Sequence, residues 1–268
     1  DSRVSGYGGY VAGLAAGVDA EASMCSAVNV DVVASNDVIY EIENDFYTDD
    51  YLPSGGLFAL LNNANAQDCY FAGVLGYHGD VNHPSEEDII DYGTRTLVDN
   101  TVFSGAQTLG GLVGDIVNGT VNRCFVVGQI SGNNSKKSKT YWDWDLDESV
   151  TLTRYVNTMG GLVGLLSGNS NVNNCYVIGN LIRSNTDLGM LIGIAEKSTK
   201  ISNSYYAGYP SGGKTLFGVK DGNPTITNCY YDKSFMTVNA SNYGRTTTEL
   251  TTADGPGLPN DQWAFDQG

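Results

Sequence analysis

The chain has 268 residues and a mass of 28.5 kDa, with 14 Lys and Arg against 30 Asp and Glu, a net charge of −16 and an isoelectric point near 4.2. Such a field repels phosphate backbones and anionic bilayers, which argues against nucleic-acid binding. No apolar run approaches the ~20 residues of a membrane-spanning helix.

With 34 Gly, 17 Tyr and only 6 Pro, the composition predicts many short strands joined by Gly and Asn turns. The length suits one large all-β domain or two smaller ones. The chain begins at Asp1-Ser2-Arg3 without a signal peptide; either a leader was removed or the sequence is a fragment.

One pattern then recurs along the chain. Two loose copies come first: Gly9-Tyr10-Val11-Ala12-Gly13 before Cys25, and Gly55-Gly56-Leu57-Phe58-Ala59 before Cys69-Tyr70-Phe71. Gly110-Gly111-Leu112-Val113-Gly114 leads to Asn122-Arg123-Cys124-Phe125-Val126, and Gly160-Gly161-Leu162-Val163-Gly164 leads to Asn174-Cys175-Tyr176-Val177. Gly189-Met190-Leu191-Ile192-Gly193 precedes Asn203-Ser204-Tyr205, and Leu216-Phe217-Gly218 precedes Asn228-Cys229-Tyr230. The units lie near 6–32, 55–78, 109–131, 159–183, 188–210 and 215–233. A repeat of this kind predicts a solenoid, since one unit cannot bury its apolar face alone.

Within a unit, Cys124, Val126 and Ile130 share one parity, as do Cys69, Phe71 and Leu75, and Cys175, Val177 and Leu181. Period 2 predicts a strand with that set facing inward. Gly73, Gly128 and Gly179 break each such strand, at a bend or a close backbone approach. The Leu-Val of each Gly-Gly-Leu-Val-Gly predicts a second, shorter strand. Polar turns such as Val117-Asn118-Gly119 link the two. In the first unit Asn29 takes the Gly slot and Asp31 an apolar one. Either a bulge restores phase through Val28, Val30 and Val32, or this coil is a cap.

Cys25, Cys69, Cys124, Cys175 and Cys229 share one slot, and Ser204 fills it in the remaining unit. The odd count and the common slot predict a ladder of buried thiols rather than a disulfide framework. In-register side chains point in parallel, which suits disulfide geometry poorly, although stacking brings neighbouring thiols close. The residue after the slot, as at Tyr70, Phe125, Tyr176, Tyr205 and Tyr230, predicts an outward aromatic ladder. It serves either as a platform for sugar rings or as a stack that supports the sheet.

Each of the first three units is followed by an insertion, near 33–54, 80–105 and 132–157. The first carries Asp37, Glu41, Glu43, Asp45, Asp49 and Asp50 and no basic residue. Insertions into solenoids gather on one side, so the expectation is one acidic, aromatic face. After Cys229 the repeat stops. A cap over 234–268 is expected, with Thr246 and Glu249 as a capping box and Trp263 and Phe265 over the open end.

Gly-Gly-Leu-Val-Gly followed by Asn-Cys-Tyr-Val resembles the GLUG repeat of bacterial surface proteins. The tail Asn228-Cys229-Tyr230-Tyr231-Asp232-Lys233, with Gly244-Arg245-Thr246-Thr247-Thr248-Glu249-Leu250, resembles the segment that closes such arrays. The match is good over about residues 106–250 and loose over 6–80. The resemblance implies a right-handed parallel β-helix or related β-solenoid from a secreted or surface-anchored, adhesin-like protein, itself part of a larger surface protein. GLUG repeats also occur as accessory repeats in some IgA-cleaving metallopeptidases. Those need a His-Glu-x-x-His motif, which this chain lacks.

Binding candidates lie in the insertions: Tyr47, Tyr51, Tyr92, Tyr141, Trp142 and Trp144. Asp143, Asp145 and Asp147 alternate, so on an extended strand three carboxylates share a face that suits Ca²⁺. The competing reading is an amphipathic hairpin whose tryptophans pack on the solenoid. Asp45, Asp49 and Asp50 form a weaker calcium set, and His78 and His83 read as loop residues, since their spacing fits no common zinc pattern. Beyond Ca²⁺ no cofactor is expected, and no nucleophile motif or phosphate loop is present.

The expected function is therefore non-catalytic: an extracellular scaffold presenting loops to a host or bacterial surface glycan or protein. The alternatives are a polysaccharide lyase or hydrolase using acids such as Asp45, Asp91 or Asp145, and a plain spacer module.

Overall fold

The repeat copies stack in register. The computed structural model describes residues 2–7, 10–35, 52–77, 107–132, 136–143, 148–155, 158–183, 188–211, 215–236 and 242–251. Within them Tyr70 pairs with Phe125, Phe125 with Tyr176, Tyr176 with Tyr205 and Tyr205 with Tyr230, always between parallel strands. The fold is a parallel β-helix.

Strand β1 (Ser2–Tyr7) leads into a first coil of β2 (Val11–Ala12), β3 (Ala15–Val18), β4 (Glu21–Ser23) and β5 (Ser26–Ser35). The second coil is β6 (Leu52–Gly55), β7 (Phe58–Asn62), β8 (Asn65–Gln67) and β9 (Tyr70–Tyr77). The third is β10 (Gln107–Gly110), β11 (Val113–Val117), β12 (Thr120–Asn122) and β13 (Phe125–Gly132). An antiparallel hairpin, β14 (Lys136–Asp143) with β15 (Glu148–Tyr155), follows and pairs only with itself. The fourth coil is β16 (Thr158–Gly160), β17 (Val163–Ser167), β18 (Asn171–Asn173) and β19 (Tyr176–Arg183). The fifth merges its arms into β20 (Leu188–Ala195) and β21 (Lys200–Ala207), with β22 (Pro210–Ser211). The sixth is β23 (Thr215–Lys220) and β24 (Thr225–Asp232). The long strands build a 13-stranded sheet and the Gly-Gly arms a 10-stranded sheet. One core contains inward residues of both, among them Leu109 and Ile116 from one and Val126 and Ile130 from the other.

The Gly-Gly-Leu-Val-Gly stretch is not one short strand, contrary to the sequence expectation. β10 ends at Gly110, the chain bends at Gly111-Leu112, and β11 starts at Val113. A Cβ on Gly110 would lie 1.7 Å from the Val113 oxygen, so the vertex closes too tightly for any side chain. The predicted break in the long strand is the second such place. Gly128 has φ +148, and a Cβ there would lie 1.9 Å from the Gly73 oxygen one coil away.

The inward column at Ala27, Phe71, Val126 and Val177 continues as Tyr206 and Tyr231. Tyr206 is fully buried and donates its hydroxyl to the Gly179 carbonyl at 2.9 Å, which satisfies its polar end. In the first coil the predicted bulge is present. The register slips between Val28 and Val30, and Asn29 sits at φ +55. Val30 and Val32 are thereby returned to the core; Val28 stays outside, 48% exposed.

All five cysteines are free, and four of them are buried. Each follows a residue in left-handed backbone: Met24, Asp68, Arg123, Asn174 and Asn228, with Asn203 before Ser204. The bend lets each slot side chain reach back and donate to the carbonyl two residues earlier, as Cys124 does to Asn122 at 3.3 Å and Ser204 to Ser202 at 2.7 Å. It also accepts from the backbone of the preceding coil: the Cys69 N–H donates to the Cys124 sulfur at 3.4 Å, and the Cys175 N–H to the Ser204 hydroxyl at 3.1 Å. The slot therefore selects a small side chain that can both donate and accept.

The end of β24 is covered. A 3-10 turn, Lys233–Phe235, precedes β25 (Gly244–Arg245), which adds a rung to β24. Helix α1 (Thr247–Thr251) starts with the predicted capping box: the Thr246 N–H donates to the Glu249 carboxylate at 2.6 Å, and the Glu249 N–H to the Thr246 hydroxyl at 3.2 Å. Asp232 joins turn to helix, accepting from the Ser234 N–H and the Thr247 hydroxyl. Trp263 and Phe265 lie outside the described residues.

Candidate functional site

Three coil-to-coil links carry the insertions, and all three leave from the same corner. They run from the end of β5 at Ser35 to β6 at Leu52, from the end of β9 at Tyr77 to β10 at Gln107, and from the end of β13 at Gly132 to β16 at Thr158. The three long strands are neighbours in one sheet, as are the three receiving strands in the other. Their ends thus line a single edge of the solenoid over consecutive rungs, ~4.8 Å apart. The strand bounds place residues 33–35 and 52–54 within the coils.

Of the predicted binding residues, Tyr141, Trp142 and Asp143 are the last positions of β14, where Asp143 pairs with Glu148. The antiparallel pairing of β14 with β15 is the hairpin part of the competing reading; the packing of its tryptophans lies outside the described side chains. Tyr47, Tyr51, Tyr92, Trp144, Asp145 and Asp147 lie outside the described residues, as do Asp45, Asp49, Asp50, Asp91, His78 and His83. Among the described residues no group of three or more His, Cys, Asp or Glu is placed to hold a metal ion.

The aromatic ladder is formed. Tyr70 and Phe125 stack with centroids 4.7 Å apart and 3° between planes, Phe125 and Tyr176 at 4.9 Å and 1°, and Tyr176 and Tyr205 at 5.5 Å and 13°. The Arg245 guanidinium lies 4.5 Å from the centroid of Tyr230. Ring faces are thus spent on neighbouring rings and only edges look outward, which favours the supporting role over a sugar platform. Burial, with the nearby Tyr176 and Asp232 adding to it, pushes the Tyr205 hydroxyl up to about 12.

Four of the ladder thiols are held protonated. Burial raises Cys25 and pushes Cys229 up to about 12, while the side-chain contact with the next thiol along the ladder, together with burial, carries Cys69 and Cys124 higher still. Thiols held protonated in this way are poor nucleophiles.

One charged group in the repeat escapes the sequence pattern. Asp115 of β11 pairs with Leu60 on one side and Leu165 on the other, and is only 6% exposed. The Thr108 hydroxyl donates to its Oδ1 across the vertex. Burial, reinforced by the charge of Glu196 and opposed by the Thr108 bond, pushes this carboxyl up to about 7. Its signal in the sequence is a single acid where the other arms carry Gly17, Leu60, Leu165, Ile194 and Val219, visible only once the arms are aligned. Sequence reasoning also missed the corner pair in which Arg123 makes two bonds to Asp68, at 2.6 and 2.7 Å. Arg123 holds the Asp68 carboxyl below its usual range.

No known protein family matches the chain, and no curated protein matches its sequence. Among solved structures, an IgA1 protease matches over 94% of this chain with a TM-score of 0.51 and 13% sequence identity. The likeness is one of fold. This chain spans 20% of that protein's length. Among the described residues no helix is long and apolar enough to cross a membrane.

Proposed function

We propose that this chain is a non-catalytic, adhesin-like domain of a secreted or cell-surface protein of the GLUG-repeat kind. In this reading it is a rigid solenoid that holds acidic and aromatic loops along one edge for a glycan or protein. The observation that supports the reading is the convergence of the three insertions on one corner of consecutive coils. Six acids without a base in the first of them, and Glu86, Glu87, Asp88 and Asp91 in the second, give that edge a negative field. Partners with basic or cation-bridged surfaces follow from that charge.

The test compares the whole chain with a variant in which 36–51, 79–105 and 133–156 are each replaced by a four-residue turn. Both are screened on glycan and matrix-protein arrays. The reading expects equal melting and loss of the retained ligands in the variant. It fails if binding survives removal of all three insertions, or if the intact chain cleaves an arrayed polysaccharide.

A further inference from the structure

The outward face of the 13-stranded sheet is a second unusual surface, away from the insertion corner. Four of its side chains are large, apolar and well exposed: Val74 (38%), Val127 (39%), Ile178 (42%) and Ile182 (43%); Tyr209 (62%), between β21 and β22, lies at its end with its ring edge-on to Phe235. Val127 and Ile178 belong to one column, flanked by Ala72 and Ala207. The stacked aromatic edges run beside it. In the next column Val74, Gln129 and Asn180 are in register. Among the described residues, the outward positions from the aromatic ladder to Ile182 in coils two to five carry no charge. Among the described residues charges stand outside that field: Asp31 at one end, the Asp68–Arg123 pair and Lys200 along one side, and Arg245 at the other end. On a chain with net charge −16, an uncharged apolar field of this size is the exception to be explained.

We propose that this face is a self-association surface, on which a second copy of the chain packs sheet against sheet. Three features select a second copy. The face is flat, and its relief repeats with the rung spacing of ~4.8 Å along the solenoid axis; the same face turned about a two-fold axis has the same relief, so its ridges can lie beside the first set. The rest of the surface carries the net charge of −16, which repels a second copy, whereas here the contact is uncharged. Finally, rungs two to five and the seven positions from the aromatic ladder to Ile182 give a field of roughly 20 by 20 Å per copy. That is close to 1,000 Å² in total once relief is counted, at the lower limit of specific interfaces. The association is therefore reversible, weaker than an obligate dimer, and independent of any ligand on the insertion edge.

Sedimentation of the whole chain at concentrations up to about 100 µM tests this. The expected mass rises reversibly from 28.5 kDa toward twice that value. Raising salt from about 0.05 to about 0.5 M strengthens it, because the like charges around the contact are screened. Val127→Lys and Ile178→Lys weaken it at least tenfold, and Leu14→Lys, an exposed residue off this face, leaves it unchanged. If either variant melts below wild type, Ile182→Lys replaces it, at a strand end. A chain that stays monomeric throughout overturns the proposal. So does a dimer that all the face variants leave intact, or a face that binds an unlike protein while the chain remains monomeric.

Discussion

Replacing Asp115 by Asn should change how stability depends on pH, not merely its level. The folded carboxyl titrates near 7 because β7 and β17 surround it with Leu60 and Leu165, against an ordinary 3.8 in the unfolded chain. Between those values the folded state keeps a proton that the unfolded state has released. The contribution of the protonated acid is therefore complete below 3.8, declines as pH rises, and is lost by about 7. At about 1.4 kcal/mol per unit, the loss is about 4 kcal/mol. The amide of D115N keeps the shape, accepts from Thr108 and does not titrate. Urea unfolding of both proteins at several values from pH 4 to 8 isolates the term, because the other carboxylates cancel in the difference. The stability of D115N relative to wild type should climb by about 4 kcal/mol over that window and level off above pH 7. A difference independent of pH would refute the account of a buried, protonated acid.

Other outcomes follow from the same geometry. Cys124→Ser keeps a side chain that donates to Asn122 and accepts from Cys69, as Ser204 does in its own coil, and should cost under about 1 kcal/mol in urea unfolding. Cys124→Ala strands the buried Cys69 N–H and should cost about 1–3 kcal/mol, while Cys124→Asp should abolish soluble expression by placing a charge in the core. Gly128→Ala must fit a Cβ 1.9 Å from the Gly73 oxygen at φ +148, and should lose at least about 3 kcal/mol or fail to fold. Replacing 133–156 by a four-residue turn removes only the self-paired hairpin, so the melting temperature should shift by no more than about 3 °C.

Much of the coil was legible in the sequence because its constraints are local and repeated. The parity of Cys124, Val126 and Ile130 placed them inward, and all three are buried. The misplaced Asn29 announced a bulge, and the Thr246–Glu249 spacing announced a cap. What failed was the Gly-Gly-Leu-Val-Gly stretch. Its apolar pair reads as a strand, whereas Gly110 and Gly111 make a vertex and give Leu112 to the bend. Periodicity carries no information about which glycines face a neighbouring coil. Asp115 was missed for a related reason. Its environment is set by Leu60 and Leu165 from coils far apart in sequence, and by Thr108 across the vertex. Most of the sites expected in the insertions lie outside the described residues.

Why the insertions use one corner follows from the hydrogen bonds at the others. The glycine vertex is laced to its neighbours, with the Gly111 and Leu112 N–H groups donating to Gly160 and Leu162. The Asn-Gly turn is tied by the Gly119 N–H to the Ser170 hydroxyl, and the left-handed corner by the Arg123 N–H to the Asn173 carbonyl. An insertion at any of these would break bonds in its own coil and in both adjoining ones. The link from a long strand to the next coil lies beyond the ladder, so added chain there costs little more than loop closure, about 0.6 kcal/mol per doubling of length. The solenoid can therefore carry long insertions at this edge without re-specifying its core.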